Sequence, residues 1–176
     1  MIEIQTPRLK LVALTAAQLE LCVLAPNLIM ETLGFSLSRD VVTGAVERAI
    51  QTKLTKMDAA MVSARGEELA WYTYWLIVAS DQLAGVGFVG FKGVPDSQGA
   101  VEIGYGIGAS FQGQGYATEA VGGLIAWAFE SPQCKTVTAK TSKSNAASMR
   151  VLEKSGLHIY AEAIEGLAWR IDKSEE

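Results

Sequence analysis

A mixed α/β (α+β) fold, a central and mostly antiparallel sheet with helices on both faces, is what the 176-residue sequence predicts. The prediction rests on strand-period runs, on helix-period runs and on the way the two interleave. Arg8 to Leu14 alternates polar and apolar residues, the period of a strand with one covered face. Thr15 stands at a capping position before the helix formers of Ala16 to Val23, and Pro26 ends that run. Val42, Val46, Ala49, Ile50, Leu54, Met57 and Met61 recur at three- and four-residue steps, which predicts a long amphipathic helix over Arg39 to Ala64. Trp71 to Val78 is aromatic and β-branched, and with Leu83 to Phe91 it reads as an antiparallel hairpin across a turn at Ala79 to Gln82. After a loop at Pro95 to Gly99 comes a strand over Ala100 to Ile107. Helix is expected from Tyr116 to Phe129, stopped by Ser131-Pro132, then strand at Val137 to Thr141. A second capped helix follows, from Asn145 to Lys154 with Gly156 as its left-handed stop, and the last strands are Leu157 to Ala161 and Leu167 to Ile171. The expected order is βαα-βββ-α-β-α-ββ, in one domain over residues 1–176 with a charged tail from about residue 172.

Composition narrows the function classes. Hydrophobic residues make up 49% of the chain and charged residues 19%, enough apolar material for a packed core. A net charge of -4 and a pI near 5.1, without a basic cluster, argue against nucleic acid and suit a cationic or amine substrate. Cys22 and Cys134 stand alone in apolar surroundings and read as free buried thiols. With acid at the N-terminus and no apolar run of about 18 residues, neither a leader nor a membrane span is expected, and the cytoplasm is the default location. One histidine, His158, leaves little from which to build a metal site or a Ser-His-Asp triad, so no metal is expected.

Five of the 17 glycines fall between Gly104 and Gly115, at a junction of strand and helix. Such a loop can be a tight turn and nothing more. Without Cβ atoms, however, it also brings main-chain N–H groups close to an anion at the mouth of the next helix, and phosphate is the natural ligand there. Gln112-Gly113-Gln114-Gly115 lacks the Lys-Ser or Lys-Thr of a nucleoside triphosphate loop. Thr118 stands where a dinucleotide fingerprint wants Gly or Ala. What remains is the pattern Gln112-x-x-Gly115-x-Ala117 between a strand and an amphipathic helix.

At this point the chain resembles the GNAT family of N-acetyltransferases, and within it the branch containing the ribosomal-protein N-terminal (alanine/serine) acetyltransferases. The resemblance is carried by Glu102-Ile103-Gly104-Tyr105, by Gly115 to Ala120, by Asn145-x-x-Ser148, by Val151 to Leu157 and by Thr6 to Leu11; residues 26–66 carry little of it. It implies a central sheet splayed open beside the strand Ala100 to Ile107, with acetyl-coenzyme A as co-substrate. The pyrophosphate would be held by main-chain amides of Gln112, Gly113, Gln114, Gly115, Tyr116, Ala117 and Thr118. Tyr105 and Ile107 would pair with the pantetheine arm, and Asn145 would hydrogen-bond it. The resemblance places an acceptor pocket at about Pro26 to Asp40, where Asn27 to Met30 and Leu33 to Phe35 would make an apolar wall; family members often form homodimers.

Acetyl transfer to an amine needs a neutral amine, a stabilised thioester oxygen and a proton for the leaving thiolate. Alternation puts Glu102 on the side-chain-poor side of its strand with Gly104, Gly106 and Gly108, which makes it the candidate general base, acting through water; a structural carboxylate is the competing reading. Glu119, in the first turn of its helix, reads as structural. Asn145 is equally a helix cap. By resemblance Ser148 lies near the sulfur as proton donor. Many relatives outside this branch carry a tyrosine seven residues after the asparagine, and here that position is Leu152, which leaves solvent or Tyr160 as other proton sources. A non-catalytic acyl-coenzyme A-binding module is the rival to an enzyme that acetylates a protein N-terminus or a small amine.

Overall fold

The computed structural model describes residues 2–60 and 68–174. The elements in chain order are β1 (Glu3–Gln5), β2 (Leu9–Ala13), α1 (Ala16–Leu24), α2 (Leu28–Leu33), β3 (Ser36–Leu37), α3 (Gly44–Ala60), α4 (Leu69–Tyr72), β4 (Tyr74–Ala79), β5 (Ala84–Phe91) and β6 (Ala100–Ile107). Then come α5 (Tyr116–Glu130), β7 (Thr136–Thr141), α6 (Ala146–Lys154), β8 (His158–Glu162) and β9 (Leu167–Asp172). The strands form one sheet in the order β1-β2-β4-β5-β6-β7-β9-β8, with β3 alongside β5. All pairs are antiparallel except β3 with β5 and β6 with β7. The expected mixed sheet with helices on both faces is the observed architecture.

Local chemistry explains most boundaries. Thr15 caps α1 in a reciprocal capping box, its hydroxyl accepting from the Gln18 amide while the Gln18 side chain accepts from the Thr15 amide. Asn145 caps α6 by accepting from the Ser148 amide at 3.0 Å, and Gly156 beyond its end has φ 87°. Cys22 and Cys134 are buried and free, and burial pushes the Cys22 thiol up to about 12.

Four elements lie outside the expected order: β1, α2, β3 and α4. The strand expected from Trp71 starts at Tyr74, because Leu69–Tyr72 is a helical turn that carries Trp71 into the core, with ring centroids 5.0 Å from Phe91 and 4.7 Å from Trp127. Thr73 makes the change of direction, donating its hydroxyl to the Leu14 carbonyl at 2.6 Å, and the Trp75 indole donates back to Ala70 at 3.0 Å. The long helix starts at Gly44 rather than Arg39, since residues 39–43 run as turns that bring Asp40 to Ser110. Its expected end at residues 61–64 lies outside the described residues, as do residues 175–176 of the expected tail; Asp172 closes β9.

Two apolar clusters cover the two faces of the sheet. One packs Ala120, Val121, Leu124 and Ala128 of α5 on Leu11, Trp75, Val89, Phe91, Val101 and Ile103. The other packs Leu19, Cys22, Ile29, Ile50 and Met57 from α1, α2 and α3 on Val12, Leu76, Val78 and Phe88. Of the aromatic residues on β4, Trp75 faces α5 and Tyr74 faces α3. Each cluster buries several aliphatic side chains completely, at about 1.5–3 kcal/mol apiece. The odd-numbered face of β6, with Val101 and Ile103, is therefore held in place by α5.

Candidate active site

β6 is where the sheet opens. Its residues Ala100, Val101 and Glu102 pair with Thr136, Val137 and Thr138 of β7, and beyond Glu102 that pairing stops while pairing with β5 continues to Ile107. The Glu102 carbonyl accepts from the Lys92 amide and the Gly108 amide donates to the Val86 carbonyl, both at 2.9 Å. Even-numbered residues thus bond across to β5, and alternation turns the main-chain groups of Ile103, Tyr105 and Ile107 into the gap. The Ile107 carbonyl is met there by the Gln112 side-chain amide at 3.1 Å.

Past the gap the chain makes a short 3-10 turn at Ala109–Phe111 and enters the glycine loop. Gly113 has φ 77° and Gly115 has φ 81°, left-handed conformations that disfavour any side chain. A Cβ on Gly113 would meet nothing within 4 Å, so its surface is open. From Gly113 to Thr118, six successive main-chain N–H groups donate to no atom among the described residues, and they lie at the start of the 15-residue helix α5. Unsatisfied donors and the helix dipole together favour an anion at this mouth.

A cleft of about 650 Å³ joins gap and loop. It is lined by Tyr105, Ile107, Gln112, Gly113, Gly115, Tyr116, Ala117, Thr118, Asn145 and Ser148, ten of the twelve residues expected from the sequence. Gln114 and Glu102 stand outside it. Phe111, Arg150, Val151 and Lys154 line it as well and were not foreseen; Arg150 and Lys154 extend from α6, one helical turn apart, and bring positive charge to the cleft.

The loop is braced from the N-terminal segment. The Arg8 guanidinium pairs with Glu119 at 2.7 Å, donates to the Gln114 carbonyl at 2.9 Å and lies 5.2 Å from the centre of the Tyr116 ring. The Arg8 amide and the Thr6 hydroxyl both donate to Glu119 at 2.7 Å. Burial pushes the Glu119 carboxyl up, but the Thr6 hydroxyl and the Arg8 donors outweigh it and hold the group below the usual carboxylate range. Glu119 is structural, as its place in the helix suggested, and the use of Thr6 and Arg8 in the opening motif is now visible. Gln114 is held by this brace through its carbonyl.

Glu102 is the last residue of β6 to pair with β7. Register places Gly104 beside Gly90 and Tyr74, and Gly106 beside Phe88 and Leu76, so the even-numbered face of β6 looks toward α3. Added Cβ atoms on Gly104 and Gly106 would meet nothing within 4 Å, leaving that strip open; on Gly108 a Cβ would come to 2.8 Å from Val41. The Glu102 carboxylate is ion-paired with Lys92 and lies 3.5 Å from Lys140. Both of its oxygens are engaged. On the same face Lys53 of α3 is only 5% exposed; its ammonium donates to the Phe91 carbonyl, lies 4.8 Å from the centre of the Tyr74 ring and has no carboxylate partner among the described residues. Burial, with Lys56 and Lys92 nearby, brings it down to about 8.

Ser148 and Tyr105 meet inside the cleft, with Oη to Oγ 2.7 Å. Leu152 is fully buried in the α5 core. Tyr160 stacks under the Arg170 guanidinium at 5.6 Å and does not line the cleft, so as a proton source it is displaced by position. His158 is exposed on β8.

Comparison with known proteins shows the family. The profile of the acetyltransferase (GNAT) domain matches residues 8–158. The chain belongs to the GNAT family. An uncharacterized N-acetyltransferase of Bacillus subtilis (strain 168), YjdG, is 36% identical over 95 residues, 54% of this chain and 56% of that protein. In these matches the chain spans about half the length of the curated relatives, 56% of one and 43% of the other. Among solved GNAT structures, RimL, a ribosomal L7/L12 alpha-N-protein acetyltransferase in complex with coenzyme A, aligns with TM-score 0.68 at 17% identity, covering 97% of this chain and 98% of that one. The ribosomal-protein-S5-alanine acetyltransferase from Vibrio fischeri aligns with TM-score 0.64 at 16% identity over 98% and 97% of the two chains. At those identities the likeness is one of fold.

Proposed function

We propose that residues 1–176 form one cytoplasmic N-acetyltransferase domain, which moves the acetyl group of acetyl-coenzyme A to a primary amine by direct attack within a ternary complex. The observation that carries the reading is the run of six N–H groups from Gly113 to Thr118, unpaired among the described residues and opening onto a splayed strand edge. The loop amides, with Gln112 at its edge, bind the pyrophosphate. Arg150 and Lys154 add charge toward the nucleotide end. The main chain of Tyr105 and Ile107 supplies the strand-like pairing that a pantetheine amide chain needs, and the Asn145 side chain serves both cap and cofactor.

The acceptor amine reaches the thioester from the α1–α3 side, over the bare strip at Gly104 and Gly106. Glu102 takes up its proton through water, and Ser148 stands at the sulfur. The acceptor is a protein N-terminus or a small molecule; the likeness to ribosomal-protein acetyltransferases supports including the first in any screen. A homodimer is the proposed assembly.

A second reading, an acyl-coenzyme A-binding module without turnover, is favoured by one observation, the ion pairs that occupy Glu102. Release of free thiol from acetyl-coenzyme A, measured against a panel of N-terminal peptides and small amines, separates the two. Turnover with some amine is expected, and Glu102→Gln should then lower kcat by about 100-fold or more while leaving coenzyme A affinity unchanged. Tight binding with no turnover on the whole panel would leave the module reading standing.

A further inference from the structure

When the C–S bond of the thioester breaks, the sulfur leaves with an electron pair and needs a proton. Three positions in this chain bear on its source. Leu152 is apolar and buried, and Tyr160 is committed to Arg170 away from the cleft. Ser148 lines the cleft on the first turn of α6, where Asn145 fixes its amide at 3.0 Å. A lone serine hydroxyl gives up a proton poorly. Its oxygen, however, is 2.7 Å from the phenolic oxygen of Tyr105, which reaches across from β6 and lies 3.2 Å from the Ser148 carbonyl as well. The pair bridges the two walls of the gap, strand on one side and helix on the other.

We propose that Tyr105 is a positioning residue for acetyl transfer, which feeds a proton through the Ser148 hydroxyl to the coenzyme A sulfur as it departs. The inference rests on the acetyltransferase reading and deepens it. With the phenol donating to Ser148 Oγ, the serine's own proton points into the cleft. The amine nitrogen forms its bond to the acetyl carbon and the C–S bond breaks. Sulfur takes the proton of Ser148, Ser148 takes that of Tyr105, the proton lost by the amine goes to Glu102 through water, and solvent in the cleft returns a proton to the phenolate. One proton leaves the nitrogen and one arrives at the sulfur. Burial raises the Tyr105 phenol above its ordinary value, with the Ser148 hydrogen bond opposing, so the phenol is protonated and able to donate across the neutral range. Thus the strand supplies the tyrosine that position 152 lacks.

The test uses the full chain with an amine that it acetylates. Tyr105→Phe should lower kcat by about 100-fold while the KM for acetyl-coenzyme A and the calorimetric Kd for coenzyme A stay within about twofold. Ser148→Ala should cost about as much, and the double variant no more than the worse single one, because the two act as a unit. The alkaline fall of kcat that reports the phenol should vanish in Tyr105→Phe. Replacement of Tyr105 by fluorotyrosine should restore turnover and move that fall to lower pH, a readout that survives even if the phenylalanine variant folds poorly. A Tyr105→Phe enzyme with unchanged kcat, a loss confined to KM, multiplicative losses in the double variant, or an alkaline limb indifferent to fluorination would each overturn the relay. If the wild-type chain binds coenzyme A and acetylates nothing, the transferase reading falls and takes the relay with it; if the wild type turns over and Tyr105→Phe matches it, the relay alone falls.

Discussion

On the α5 and α6 side of β6 the cleft is lined by glycines, a helix mouth and strand edges, while on the α1–α3 side the sheet is covered by large side chains such as Phe88, Tyr74 and Lys53. On the proposed reading, the first region recognises by main chain and the second by side chain. A ligand used by every member of a fold family can be gripped by peptide groups, which no substitution of side chains erases. A ligand that varies among members calls for a wall that can be rewritten residue by residue. The cofactor side is accordingly constrained in backbone conformation, and the opposite side in packing and charge.

Substitution at the loop should break this contrast most severely. Gly115→Asp puts a side chain at φ 81°, with its Cβ 3.3 Å from the Arg8 guanidinium, and sets a carboxylate against the pyrophosphate. Coenzyme A binding by calorimetry should weaken by more than about 100-fold, and an unchanged Kd would count heavily against the loop as the phosphate site.

The side-chain wall is probed by Lys53→Met. The folded-state value of Lys53 is lowered to about 8 from 10.5, so between those values the unfolded chain holds more protons and stability rises with pH. Below about 8 the buried ammonium is charged and its full cost is present. Urea denaturation should show the wild type gaining about 3 kcal/mol relative to Lys53→Met between the two limits. Coenzyme A affinity should be the same in both chains. A parallel pH profile for the two proteins would mean that Lys53 is not the buried base described above.

A smaller effect sharpens the cofactor side. Arg8 is half-exposed, at 51% of its side chain, so its pair with Glu119 is solvent-screened. Arg8→Ala should raise the KM for acetyl-coenzyme A about fivefold, by loosening the Gln114 carbonyl and the loop with it, and leave kcat nearly unchanged. An equal fall in kcat would show that Arg8 does more than brace.

What could be read from the sequence follows the same division. Thr15, Asn145 and Gly156 act within three or four residues of themselves, so their caps were visible without knowing the fold. The glycines at 113 and 115 announced unusual backbone for the same reason. Arg8 and Glu119 are 111 residues apart, and nothing local in either says that they meet. Lys53 occupies a buried position of α3 that the expected helix pattern left polar, so its burial was invisible. The turn at Leu69–Tyr72 was hidden because its aromatic residues have strand propensity and only the socket formed by Phe91 and Trp127 draws Trp71 out of line. The missing elements β1 and β3 have three and two residues, too short for any periodicity to show.

One carboxylate ties the two regions together. Asp40, between α2 and α3, accepts from both the amide of Ser110 at 2.8 Å and its hydroxyl at 2.6 Å, and chiefly that hydroxyl holds its carboxyl down to about 2. The tether is therefore charged and intact throughout the pH range of any ordinary assay. If the acceptor amine binds where the resemblance places it, against residues 26–40, it would tug at the same peg that steadies the approach to the glycines. Whatever factor it imposes on the grip for coenzyme A, the coenzyme must return in equal measure, so the two substrates should help or hinder each other symmetrically.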